Sequence, residues 1–178
     1  MSGDSVWKHL EVKSASVLSR WNRLIIETYL EDTSRFLKDE KDRFVNPVGH
    51  AISEGTKVIF DELLHGMDPE KLACSLDELI RIRTVQEFSP SQAVGFVFLL
   101  KQAVREELAS KTTSNGYYAE LLDFEARIDK LILLAFDVHM KCREKVCEIR
   151  MNEVASQRDM ALRILATTSE MDGAEEAG

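Results

Sequence analysis

The sequence predicts an all-α bundle of about six to seven helices that ends in a long C-terminal helix, and three observations support this fold class. The 178 residues include only three prolines and eight glycines, too few for the many turns of an all-β domain. Each proline directly follows a residue type that caps helices well. Apolar residues recur at three- and four-residue steps along most of the chain, which is the spacing of one helix face.

The first helix is predicted over about Ser5–Leu30. Its apolar face combines two tryptophans with aliphatic side chains at helical spacing, namely Val6, Trp7, Leu10, Val17, Trp21, Leu24 and Ile25. After this segment, Thr33-Ser34 is a suitable cap for a short helix that continues through Phe44.

The prolines predict the next three helix starts, at Asn46-Pro47, Asp68-Pro69 and Ser89-Pro90. Proline at the first helical position loses only an N–H group that has no helical partner there. Gln92 lies three residues after Ser89, which adds the pattern of a capping box. The first of these helices is expected to end at Gly66 as a C′ residue, and the third to run to Leu108.

A single long helix is predicted after the polar loop Ser110–Gly116, because Tyr117–Asp172 contains neither glycine nor proline. Unbroken to Thr167, it would be about 75 Å long at roughly 1.5 Å per residue, which exceeds the width of a domain of this size. We therefore expect either a kink near Asp137 or an end that pairs with another chain.

The charge balance predicts one mildly acidic domain followed by an acidic tail. Lys and Arg number 23 against 31 Asp and Glu, for a net charge of −8. Four of the acids and none of the bases lie in residues 170–178. We predict a single domain over 1–169 and a disordered tail over 170–178. An acidic body argues against nucleic acid as the main partner, since phosphate contacts need clustered Lys and Arg.

Export and membrane signals are not recognised in the sequence. The longest apolar run, Ala93–Leu100, is too short to span a bilayer, and Met1–Leu10 lacks the apolar core of a signal peptide. The three cysteines, at 74, 142 and 147, leave one unpaired in any disulfide scheme. We predict a cytoplasmic protein without membrane insertion.

No motif predicts catalysis, a metal or a cofactor. The sequence lacks G-x-S-x-G, H-E-x-x-H, a Gly-rich phosphate loop and Cys-x-x-Cys, so we predict no enzyme activity and no catalytic residues. Cys142 and Cys147 diverge by about 140° on a helix, so they do not form a metal site with His139. A haem-binding sensor that uses His50 or His139 remains an alternative, since haem iron is held by a helix histidine in globins.

A polar notch is predicted between the second and third proline-started helices. Arg83 and Gln86 lie at the end of one helix, and Lys101 lies within the next. Basic residues in a last turn favour the helix C-terminus, which is one interpretation of this cluster. The other is that the notch binds an anion, a metabolite or a partner carboxylate. The ligand or partner candidates are Arg83, Gln86, Lys101 and His50.

Three runs carry a family resemblance: Lys41–His50, Leu79–Val94 and Phe96–Lys101. Together with Trp21 and Thr28-Tyr29, they resemble the RsbRD-type N-terminal domain of RsbT co-antagonist proteins. The resemblance covers about Val6–Ile149.

The resemblance implies an all-α, globin-like domain without haem that dimerises partly through its last helix. In the related stressosome proteins, this domain precedes a phosphorylatable STAS domain and senses or transmits signals by contact. The chain ends at Gly178, without room for a STAS domain, so we expect the output to pass to a separate STAS or switch-kinase protein. No catalytic residues carry over from the family.

We therefore expect a non-enzymatic signalling module of the stress-response co-antagonist type that forms a homodimer. The predicted interface residues are Trp7, Trp21, Leu121, Ile128, Leu131 and Ile132. The alternative is a globin-like sensor that binds a small ligand or haem.

Overall fold

The computed structural model describes residues 5–29, 46–86, 88–109 and 115–175, with side chains over 116–163 in the last stretch. All regular structure in these ranges is helical. The helices are α1 (Val6–Val12), α2 (Ser14–Glu27), α3 (Pro47–His65), α4 (Pro69–Val85), α5 (Pro90–Leu108) and α6 (Asn115–Glu175). The predicted all-α class with a long C-terminal helix is confirmed. The predicted short helix from Thr33-Ser34 through Phe44 lies outside the described residues.

The three proline-started helices begin where the sequence predicts. At each start the N-cap side chain accepts a backbone N–H: Asn46 from Gly49, Asp68 from Glu70, and Ser89 from Gln92. At Ser89 the capping box is complete, because the Gln92 side chain also accepts the Ser89 N–H at 3.0 Å. These bonds satisfy N–H groups that have no partner inside the helix.

The prediction of one continuous helix over Ser5–Leu30 is wrong, because the chain bends at Lys13 between α1 and α2. Lys13 has φ −96° and ψ 11°, and its Nζ donates to the carbonyl oxygen of Glu107 at 3.2 Å. Both helices contact α3, and the bend gives each of them a further neighbour of its own. Trp7 of α1 packs edge-on against Phe124 of α6, whereas α2 packs on α5. Neither proline nor glycine marks this bend, so apolar spacing alone does not reveal it.

The turn after α3 uses its glycine for a different reason than predicted. The left-handed residue is Met67, with φ 58°, whereas Gly66 has φ −137°. A Cβ on Gly66 would lie 2.6 Å from the Glu62 carboxylate oxygen, which accepts the Asp68 N–H at 3.0 Å. A Cβ at this position would displace that carboxylate from its hydrogen bond, so the observed position of Glu62 favours glycine here.

The hydrophobic core lies in the compact unit Met1–His139. Phe124 of α6 contacts Trp7 of α1 and Phe60 of α3, with ring centroids 5.5 and 6.1 Å apart. Burying such a side chain contributes about 1.5–3 kcal/mol relative to leaving it exposed. The face of α6 that packs into this core comprises Tyr117, Leu121, Phe124, Ile128, Leu131, Ala135 and Val138.

The helix α6 starts earlier than predicted and is uninterrupted at Asp137. Asn115 and Gly116 belong to it, although the sequence places both in the loop Ser110–Gly116. Among the described residues, none of the helices is both long and apolar enough to cross a membrane.

The second compact unit is Met140–Gly178. Over 140–163 every side chain is exposed except that of Cys142, which is half-buried. The helix includes residues 170–175 of the predicted tail, and 176–178 lie outside the described residues. The domain limits 1–169 and 170–178 stay a prediction.

Replacing Gly95 with alanine is expected to raise the free energy of unfolding by about 0.5–1 kcal/mol, since glycine inside a helix is less favourable than alanine. Gly95 lies in α5, and a Cβ built there meets nothing within 4 Å. The matched control is Gly55→Ala in α3, whose Cβ would lie 3.1 Å from Leu79 Cγ of α4. Chemical denaturation should show a higher free energy of unfolding for Gly95→Ala, and a smaller increase or a decrease for the control. Equal gains would contradict the packing argument.

Candidate functional site

Arg83 connects three helix ends from a buried position. It lies in the last turn of α4 and is 3% exposed. Its Nη2 donates to Thr28 Oγ1 at 3.0 Å, just after α2, and to the carbonyl oxygen of Gln92 at 3.1 Å, in the first turn of α5. One guanidinium thus holds the ends of α2 and α4 to the start of α5.

Three aromatic rings surround this guanidinium. The Cζ of Arg83 lies 4.2 Å from the ring centre of Phe88, 5.2 Å from that of Tyr29 and 5.7 Å from that of Phe96. Such contacts stabilise a cation through the negative face of the ring. Burial lowers the pKa of Arg83, and the nearby Tyr29 partly offsets this. Burial raises the pKa of Tyr29, and the charge of Arg83 partly offsets that shift.

The hydrogen bonding of this cluster is incomplete. Among the described residues, Nε and Nη1 of Arg83 have no hydrogen-bond partner, and neither has the hydroxyl of Tyr29. No carboxylate in the described part of the chain forms an ion pair with Arg83. Buried arginines are ordinarily paired, so this arrangement is unusual.

The other predicted ligand candidates do not join Arg83. Lys101 forms an ion pair with Asp129 of α6 at 2.6 Å, so it connects α5 to a different helix. Gln86 and His50 are exposed at the end of α4 and the start of α3. The structure therefore does not bring Arg83 and Lys101 to a common set of partners. The sequence identified Arg83, but it placed it in an open notch rather than in the interior.

Most of the predicted dimer-interface residues are already covered within one chain. Trp21, Leu121, Ile128 and Leu131 are buried in the core of the chain itself. Trp7 and Ile132 are partly buried against that core. The helical spacing of these six residues marks the inward face of the helices, so it cannot by itself identify an interface between two copies.

A different, exposed surface of α6 carries large apolar side chains. We call it the α6 face, and it comprises Tyr118, Leu122, Leu133 and Phe136, which are 47–68% exposed. At roughly 100° per residue these positions fall within about 60° of arc. Leu133 and Phe136 are not among the predicted interface residues, because the residues predicted on this helix lie on the face that packs into the core. A cavity of about 340 Å³ adjoins Tyr118 and Leu122.

Two ion pairs between α5 and α6 fix which side of α6 points outward. Arg105 donates to both carboxylate oxygens of Glu125, at 2.6 and 2.7 Å, and hydrogen bonding to Glu125 raises the pKa of Arg105. One turn further along, Lys101 pairs with Asp129. The bidentate geometry gives the first pair a defined orientation.

A groove of about 760 Å³ lies between α1, α2 and α3. Glu62 is at its edge, and hydrogen bonds from Lys71 and from the Asp68 backbone hold the pKa of Glu62 below its usual value. The Nε2 atom of His65 lies 3.5 Å from Oε1 of Glu11, and its Nδ1 atom lies 3.1 Å from Oδ1 of Asp61. Among the described residues, no group of three or more His, Cys, Asp or Glu side chains could hold a metal ion.

The two histidines of the haem hypothesis differ in environment. His50 is exposed in the first turn of α3, and His139 is buried in α6. The haem hypothesis stays a prediction.

Comparison with known proteins identifies the family. The chain is 26% identical over 127 residues to an uncharacterized protein of Archaeoglobus fulgidus, an alignment that covers 68% of this chain and 80% of that protein. No solved structure matches. The family model described as the RsbT co-antagonist protein rsbRD N-terminal domain matches residues 15–154, from α2 into α6. The predicted resemblance is confirmed: the chain belongs to the RsbRD N-terminal domain family, whose context is stress-response signalling.

Proposed function

We propose that this chain is a non-enzymatic, cytoplasmic sensor module that acts through protein–protein contacts in stress-response signalling. The family membership supports the signalling context. The α6 face carries the proposal of contact, because clustered exposed apolar side chains mark interaction sites on proteins. The resemblance, which implies a globin-like arrangement of helices without haem, supports a binding module rather than an enzyme.

The first partner that we propose is a second copy of the chain. Leu133 and Phe136 are the large residues at the C-terminal end of the α6 face, and they are 68% and 52% exposed. Pairing this face with its copy would remove apolar surface from water at about 25 cal/mol per Å². Described by itself, the second unit also exposes large apolar side chains, namely Met140, Val146, Ile149, Met151, Val154, Met160 and Leu162.

Size-exclusion chromatography with light scattering tests the homodimer. We expect a mass of twice the 20.2 kDa of the chain at micromolar concentration, with dissociation on dilution. A mass of one chain at that concentration would contradict the homodimer. The proposed partner of the α6 face would then be a different protein.

The second partner that we propose is a separate signalling protein of the STAS or switch-kinase type. Purified proteins of both types from the same cell would be titrated with the full chain and binding measured by calorimetry. We expect one of the two to bind with micromolar affinity or better. If neither binds the dimer or the monomer, the proposed signalling partner is wrong.

A further inference from the structure

We propose that Arg83 and Tyr29 form a buried binding site for one small monocarboxylate of the size of acetate or propionate. The site would lie where the ends of α2 and α4 meet the start of α5, within the first compact unit. It does not involve the α6 face, and it goes beyond the proposed contact function.

The first argument is the number of unused donors. A guanidinium has five N–H groups in one plane. The two bonds from Nη2 of Arg83 go to Thr28 and to the carbonyl of Gln92. The three N–H groups on Nε and Nη1 have no acceptor among the described residues, although Arg83 is 97% removed from solvent. Donors in such a position are strongly favoured to find an acceptor.

The second argument concerns what the surrounding rings can and cannot supply. Phe88, Tyr29 and Phe96 stabilise the positive charge from distances of 4.2–5.7 Å. A ring face is, however, a weak hydrogen-bond acceptor. The Tyr29 hydroxyl lies beside the Arg83 guanidinium and has no other partner in the described part of the chain, so its O–H remains available to donate to a bound anion.

The charge and polarity of the cluster select the class of ligand. Arg83 is one positive charge without an ion-pair partner among the described residues, so it can neutralise one negative charge. A carboxylate carries one such charge, whereas phosphate carries between one and two at neutral pH, and its dianion would leave charge uncompensated in an apolar site. The alkyl part of acetate or propionate suits the three aromatic rings.

Binding is tested on the full chain by following thermal unfolding in increasing sodium acetate or propionate, against sodium chloride and sodium phosphate at equal ionic strength. We expect carboxylate to raise the Tm of the native chain more than that of Arg83→Met, whereas chloride and phosphate, which act through general salt effects, should shift the Tm of both chains equally. In Arg83→Met the carboxylate effect should fall at least about tenfold in apparent affinity, because a charge-assisted hydrogen bond is lost. The matched control is Arg81→Met, an exposed arginine of the same helix that pairs with Asp77.

Two further measurements keep the test decisive if Arg83→Met does not fold. Tyr29→Phe keeps the ring and removes only the hydroxyl, so it should weaken carboxylate binding without loss of the fold. In the native chain, the Nε resonance of Arg83 in a ¹⁵N spectrum should shift on acetate titration. The proposal is overturned if acetate acts no differently from chloride, if phosphate binds equally well, or if Arg83→Met responds as the native chain does.

Discussion

Replacing Trp21 with alanine is expected to lower the free energy of unfolding by about 3–5 kcal/mol, the usual cost of removing a buried large aromatic side chain. Trp21 is completely buried in α2, and its ring stacks on that of Phe96 with centroids 6.3 Å apart. Its Nε1–H donates to the carbonyl oxygen of Phe96 at 2.8 Å. The substitution therefore removes both a large apolar volume and a buried hydrogen bond between α2 and α5.

The control is Trp21→Phe, which keeps an aromatic ring and loses the indole N–H. We expect it to cost about 1–2 kcal/mol, from one hydrogen bond and incomplete filling of the site. Urea denaturation at one protein concentration measures both variants, because the stability of a dimer depends on concentration. A loss below about 1 kcal/mol in Trp21→Ala would show that Trp21 does not hold α2 on α5 as the structure indicates.

The double substitution Leu133→Glu with Phe136→Glu is expected to convert a dimer to a monomer without unfolding the chain. Both side chains are on the exposed α6 face, so glutamates there are hydrated in the monomer. In a dimer through this face, four carboxylates would be brought together and desolvated. Light scattering measures the mass, and far-UV circular dichroism with thermal unfolding shows whether the helices persist.

The charge-matched control is Lys8→Glu, which changes the net charge by the same two units at an exposed position of α1. It should leave the mass unchanged. A double variant that remains dimeric would place the interface elsewhere, whereas loss of helical signal would show that Leu133 and Phe136 stabilise the chain itself.

Local chemistry explains which elements could be predicted from the sequence. The starts of α3, α4 and α5 depend on a capping side chain and a proline within four residues, so short-range pattern suffices. The bend at Lys13 depends on contacts with Glu107, which is 94 residues away. The left-handed residue after α3 is Met67 rather than Gly66, and the carboxylate beside the glycine belongs to Glu62, four residues earlier in α3.

The candidate site also combines a feature that the sequence predicts with features that only the folded chain produces. The sequence marks Arg83 as a basic residue at a helix end, a position where it would ordinarily be solvated. Its burial among Tyr29, Phe88 and Phe96 depends on three segments that meet only in the folded chain. Apolar periodicity likewise identifies a helix face without telling whether that face meets the core or another molecule.

The sequence by itself therefore determined the all-α class, the three capped helix starts, the long last helix and the family resemblance. Each of these depends on residue types at short spacing or on runs of matching residues. Only the tertiary structure decided that Trp21, Ile128 and Leu131 are core, that Leu133 and Phe136 are exposed, and that Arg83 is buried without a counter-ion among the described residues. Burial is a property of how helices pack on each other, and that packing depends on contacts between residues far apart in the chain.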